Sequence, residues 1–202
     1  MNKIISAIFI SLMLSLVITA YSENVQTDLQ DNLIRLHIIA NSDSDKDQAV
    51  KLEVRNAVLN EIRNSSENIS REEIIKNLDT IEKIAKDTLK QNGFSYDVQA
   101  VYGKFDFPKK EYKNMTLPAG EYCGVRIILG NGEGHNWWCV MYPPLCVSND
   151  TTVTLDKESE ELLKATLKSE TYDIITKSDK DVVIKFKAVE FIQELKQKIK
   201  NR

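Results

Sequence analysis

Residues 118–146 read PAGEYCGVRIILGNGEGHNWWCVMYPPLC, and the fold turns on this stretch. It holds all three cysteines, both tryptophans and five of the seven glycines, so the turn-forming and chemically distinctive residues are concentrated here. Tyr122 to Leu129 and Asn136 to Tyr142 are β-prone runs on either side of Gly130-Asn131-Gly132-Glu133-Gly134. Gly and Asn tolerate positive φ, so the pattern predicts two strands joined by a hairpin-type loop. Pro143 and Pro144 remove two backbone donors, so the second strand ends there or lies on an edge. A phosphate-binding reading of the glycines is weak: they do not form G-x-G-x-x-G at the opening of a helix, and no Lys-Ser or Lys-Thr follows. Trp137 and Trp138 are neighbours on a strand and point to opposite faces. Either both pack in the interior, or one does and the other anchors an interface.

Upstream, Leu33 to Ala40 alternates Ile34, Leu36 and Ile38 with Arg35, His37 and Ile39, a strand with one wholly apolar face. The polar turn Asn41 to Asp47 follows. Its alternating aspartates suggest a calcium loop, but with Asp43 as the first position the glycine position holds Gln48 and the twelfth holds Val54. Ser44 with Asp47 instead makes a capping-box-like pair at the start of a helix running to about Arg63, with Val50, Val54, Ala57 and Val58 on its apolar side. Ser70 and Glu73 open a second amphipathic helix, carrying Ile74, Leu78, Ile81 and Ala85, which Gly93 ends. A strand is expected over Tyr96 to Phe105. Beyond Cys146 the spacing predicts a helix over Lys157 to Lys168, a strand over Asp181 to Ala188 and a basic helix over Val189 to Lys200. The whole reads as an α+β fold: a small, mainly antiparallel sheet packed against two amphipathic helices, with a C-terminal strand and helix extension.

The N-terminus is a targeting segment. Lys3 precedes an apolar run from Ile4 to Ala20, and Ala20-Tyr21-Ser22 fits a small-x-small cleavage pattern. An uncleaved anchor is the rival, because about 17–25 apolar residues suffice to cross a bilayer. The expected organisation is a signal peptide or membrane anchor over 1–22, an α+β domain over 23–148 and an extension over 149–202. A formal net charge of −3 argues against a nucleic-acid binder.

Three cysteines are an odd number for an exported chain. The Pro-Pro turn lets Cys139 and Cys146 meet in a disulfide, leaving Cys123 free. A zinc site from His135, Cys139, Cys146 and Cys123 is the weaker rival, since on a strand His135 and Cys139 stand about 13 Å apart. No Gly-x-Ser-x-Gly nucleophile elbow is present. The enzymatic alternative is a secreted or membrane-tethered thiol hydrolase pairing Cys139 or Cys146 with His37 or His135.

Two blocks carry a specific resemblance. The first is Ile34 to Ser44 with Asp47-Gln48 and Lys51 to Arg55. The second is Leu117 to Tyr122, Val125-Arg126, Gly130 and Asn136 to Val140, through Pro143-Pro144-Leu145-Cys146. In order and content they resemble the stage II sporulation protein R family. The resemblance implies a protein made in the forespore of an endospore-forming bacterium and exported into the space facing the mother cell. There it triggers a membrane-embedded aspartic protease that processes pro-sigma-E. It implies a signal rather than an enzyme and supplies no catalytic residue to carry over. No metal, cofactor or nucleic-acid partner is expected, and the N-terminal apolar segment makes at least transient membrane association the expectation. Cys123 falls where the family does not call for cysteine, which fits a Cys139–Cys146 pair. Arg35, His37, Asn41, Asp43, Trp137 and Trp138 are the candidate partner-binding residues.

Overall fold

A computed structural model describes residues 2–65, 71–146, 157–176, 189–196 and 198–199. In chain order the elements are α1 (Asn2–Asn32), β1 (Ile34–Ile39), α2 (Asp45–Ser65), α3 (Arg71–Lys76), α4 (Leu78–Gln91), β2 (Val98–Phe107), β3 (Lys110–Tyr112), β4 (Met115–Leu117), β5 (Gly120–Leu129), β6 (Asn136–Tyr142), α5 (Lys157–Thr166) and α6 (Ser169–Thr176). A further helix, α7, covers 189–196. The chain divides into two compact units. One comprises Leu33–Phe105 and Tyr122–Asn149, the other Met1–Asn32, Asp106–Glu121 and Asp150–Arg202.

The first unit is built on a four-stranded sheet in the order β2-β5-β1-β6. β1 runs parallel to β5 and antiparallel to β6. The N–H of Gly130 donates to the carbonyl of Asp97, which sets the start of β2 beside the end of β5, as an antiparallel pair requires. The expected hairpin between β5 and β6 does not form, because β1 lies between them. The glycine loop still turns the chain, but it bridges two strand spacings, about 9.5 Å, over the end of β1. Local sequence shows where two strands are joined; it does not show whether a third enters the gap. β6 is an edge strand, and it ends at Tyr142, where a cis peptide leads into Pro143.

Ile34, Leu36 and Ile38 face the helices and meet Val50, Val54 and Val58 of α2, Ile81, Ala85 and Leu89 of α4, and Val125, Ile127 and Leu129 of β5. Each such fully buried side chain contributes about 1.5–3 kcal/mol relative to leaving it exposed. The second helix of the sequence reading is broken at Asn77 into α3 and α4; its Ser70 cap lies outside the described residues. Gly93, at φ +83, closes α4 with Gly93 N–H on Lys90 O and Phe94 N–H on Leu89 O, a Schellman pair.

In the second unit α1 continues unbroken past its apolar stretch, exposing Ile4 to Val17 and burying Ser22, Val25, Gln26 and Leu29. Gln26 Nε2 donates to Glu121 O at 2.6 Å, and the Asp28 carboxylate accepts the Lys168 N–H at 3.0 Å, just ahead of α6. β3 and β4 pair as a small antiparallel sheet that sequence periodicity did not reveal, each strand being only three residues. The expected strand over Asp181 to Ala188 lies outside the described residues.

Two consequences are measurable in thermal unfolding of the detergent-solubilised chain. A Cβ on Gly134 would press into the backbone carbonyl of Ser42, so Gly134→Ala should cost about 1–3 kcal/mol. Cys139 and Cys146 are joined, with Cα atoms 5.3 Å apart, and Cys123 is buried outside the disulfide. Opening that short loop by Cys146→Ser should cost about 2–3 kcal/mol, and a reductant should lower the midpoint of the parent chain but not of the variant.

Candidate functional site

The end of β1 delivers Ala40 to Asp43 beneath the glycine loop, and the two are laced together. Gly134 N–H donates to Ala40 O at 2.9 Å, Glu133 N–H to Asn41 O at 3.3 Å, Asn131 N–H to Asn41 Oδ1 at 3.0 Å and His135 N–H to Asp43 Oδ1 at 2.6 Å. His135 Nδ1 also contacts Asp43 Oδ1. Both of these side chains are exposed, by 78% and 55%, so the pair is screened by solvent and steadies the loop only weakly. The hydrogen bonds from His135 hold the Asp43 carboxyl below its usual range.

Behind this rim stands Asp47. Ser44 caps α2 as expected, its Oγ accepting the Asp47 N–H at 3.2 Å. The Asp47 carboxylate reaches beyond Ser44. It accepts Ser42 Oγ at 2.5 Å, Asn41 Nδ2 at 2.9 Å and Tyr96 Oη at 3.1 Å. Burial alone would raise this carboxyl; those hydrogen bonds overcome it and lower the pKa. One turn on, Lys51 is buried and donates to Gln48 Oε1 at 2.6 Å and to His135 O at 2.9 Å. Asp43, Asp47 and this lysine thus organise the turn that leads into the Ser44 cap.

On the sheet face away from the helices, strand register places His37 beside Arg126 of β5 and Trp138 of β6. His37 stacks on Trp138 with ring centroids 3.6 Å apart. Arg126 Nε is 3.1 Å from His37 Nδ1 and can only donate, so Nδ1 accepts and Nε2–H donates to Asn136 Oδ1 at 2.8 Å. The Arg126 guanidinium also lies over Phe105, 3.9 Å from its centroid. Burial, opposed by the Asn136 bond and reinforced by Arg126 and Arg35, pushes the His37 pKa down to about 4. Arg35 is buried 4.9 Å over the Tyr122 ring.

Of the expected partner-binding residues, Asp43 is exposed, while Asn41, Trp137 and Trp138 are half-buried. Arg35 and His37 are buried and support the face from within. The indoles do point to opposite faces. Trp137 packs on the helix side beneath Arg55, 4.1 Å from its centroid, and Trp138 lies on the other. The zinc arrangement does not assemble: Cys139 and Cys146 bond each other and His135 turns to Asp43. Among the described residues, no cluster of three or more His, Cys, Asp or Glu side chains is placed to hold a metal. Sequence reasoning missed Arg126 and Phe105, although alternation along β5 already puts Arg126 on one face with the residue that β1 sets opposite it.

The tied turn and loop are the meeting point of two separate sequence blocks, and both blocks lie within the residues that a family model matches. The model for stage II sporulation protein R matches residues 30–152. The chain belongs to that family. It is 38% identical over 193 residues to a Stage II sporulation protein R of Bacillus subtilis (strain 168), covering 86% of each chain. No solved structure matches. The family match spans β1 to β6, so the laced rim and the His37–Trp138 face both lie inside the family region of the chain.

The low pKa of His37 sets a pH dependence. The unfolded chain binds the proton near pH 6.5 and the folded chain only near 4, so acidification favours unfolding across that interval. Stability should be full above pH 6.5 and fall as the pH is lowered towards 4. His37→Gln should flatten the thermal midpoint over this window; an unchanged slope would show that other groups set it.

Proposed function

We propose that this chain is an exported signalling protein of endospore formation that activates the membrane-embedded aspartic protease processing pro-sigma-E in the mother cell. Family membership and the name of the Bacillus subtilis relative support a role in stage II of sporulation. The apolar α1 is compatible with passage into or across a membrane, and so with delivery to the space between forespore and mother cell. The observation that carries the reading is the rim itself. Two distant blocks meet in an exposed, hydrogen-bonded turn and loop, which is the anatomy of a binding module.

Activation then requires that this surface bind the active arrangement of the protease better than the inactive one. Asn41, Asp43 and Trp138 are the contacts proposed for that surface, with Arg35 and His37 holding it in shape and Trp137 fixing it to α2. The thiol hydrolase alternative needs a free thiolate at Cys139 or Cys146. Those two sulfurs are bonded to each other, and Cys123 is buried.

The test is pro-sigma-E cleavage in a non-sporulating host carrying the protease and its substrate, with and without the exported chain. Cleavage should appear only with the chain. Asp43→Ala and Trp138→Ala should each weaken it, by about 10–30-fold if either is an interface anchor, at unchanged protein level and at a temperature where each variant is shown to be folded. No cleavage with all three proteins present and correctly located would sink direct activation.

A further inference from the structure

The exposed large hydrophobic side chains of the described residues fall almost entirely into two groups. One is the α1 stretch from Ile4 to Val17; the other is Phe191, Leu195 and Ile199, exposed by 60%, 39% and 74%. Ile75, at 37%, stands apart. Phe191, Leu195 and Ile199 are spaced by four over α7 and the helical residues 198–199, so they form one stripe. The opposite side of α7 is committed to the interior through Val189, Glu190 and Gln193. An apolar stripe facing away from a packed face wants another apolar surface.

Its place in the fold says which. Gln193 Nε2 donates to Ser22 Oγ at 3.3 Å, and Lys196 Nζ contacts Glu23. Ser22 is the point where α1 passes from exposed to buried. At 1.5 Å per residue it lies about 8 Å along the helix from Val17, the last exposed apolar residue of that stretch. If the apolar stretch fills a hydrocarbon core, this distance falls within the interfacial layer on one side of the bilayer. Exposed Lys196 and Lys198 border the stripe, and Lys200 and Arg202 follow in sequence, the composition of helices that lie in a headgroup layer.

We infer that α7 is a second membrane contact, with Phe191, Leu195 and Ile199 entering the headgroup–acyl boundary where α1 leaves the bilayer. This rests on α1 being retained as a spanning helix and is independent of the protease partner. It holds the second unit against the lipid surface on two legs rather than one.

The full-length chain can test this in vesicles of phosphatidylethanolamine and phosphatidylglycerol, with an environment-sensitive fluorophore on Leu195→Cys, Val17→Cys or Lys90→Cys in separate preparations. Native thiols do not compete, since Cys123 is buried and the other two are bonded. The label at 195 should shift to the blue and be quenched by lipids brominated high on the acyl chain. The label at 17 should be quenched by lipids brominated near the chain end, and the label at 90 by neither. Adding Phe191→Asp and Ile199→Asp should return the label at 195 to the behaviour of that at 90. A label at 195 that escapes lipid quenchers while that at 17 is embedded overturns the inference. If its blue shift then depends on protein concentration, the stripe is covered by a second copy instead. A label at 17 outside the lipid overturns the span and the inference with it.

Discussion

A six-residue strand that needs a partner on each edge governs the first unit. β1 is buried on both faces, and neither of its sequence neighbours supplies a strand to pair with it: α2 follows directly and α1 precedes. Both partners come from the far end of the family region, β5 on one side and β6 on the other. Once β1 occupies the gap, the β5–β6 connection must cross its end, and the Ala40–Asp43 turn must lie under that crossing. The four backbone donors that the loop gives to the turn follow from that constraint. The exposed rim is therefore a product of sheet order.

The two faces of β1 solve different problems. Towards the helices, Ile34, Leu36 and Ile38 supply ordinary apolar burial. On the other face a neutral imidazole sits among Arg126, Asn136 and Trp138, with Arg35 further along the strand. Protonating His37 would place a third positive charge beside the two guanidinium groups, and its Nδ1 is already taken by the Arg126 donor. Polar groups bonded in this way resist rearrangement, because each broken bond leaves a partly buried donor or acceptor without a partner.

Much of this was readable beforehand. Alternation in Leu33 to Ala40 separates the core side of β1 from the Arg35–His37 side, and the helical spacing of Ile74 to Ala85 marks the apolar face that α3 and α4 share, though not the break at Asn77. The Ser44 cap and the Gly93 stop are likewise local chemistry. Strand order was not readable, because Gly130 to Gly134 turns the chain equally well whether two strands or three share the space. The short β3–β4 pair escaped for a similar reason, three residues being too few to show a period. At the rim, Asp47 was legible as a helix-start residue, but its carboxylate bonds Ser42, Asn41 and Tyr96, and the last of these arrives from 49 residues away.

The separation between β1 and its partners also shapes how the chain comes together. His37 waits for Arg126, 89 residues later, and for Asn136, 99 residues later. At typical synthesis rates of about 5–20 residues per second, β1 is made roughly 5–20 s before its first neighbour strand. During that interval the growing polypeptide holds helices and an unpaired strand but no sheet, and contacts of such long range are slow to close even when complete. A chain whose central sheet cannot assemble until its last family residues emerge carries its helices without their packing surface for the whole of that time.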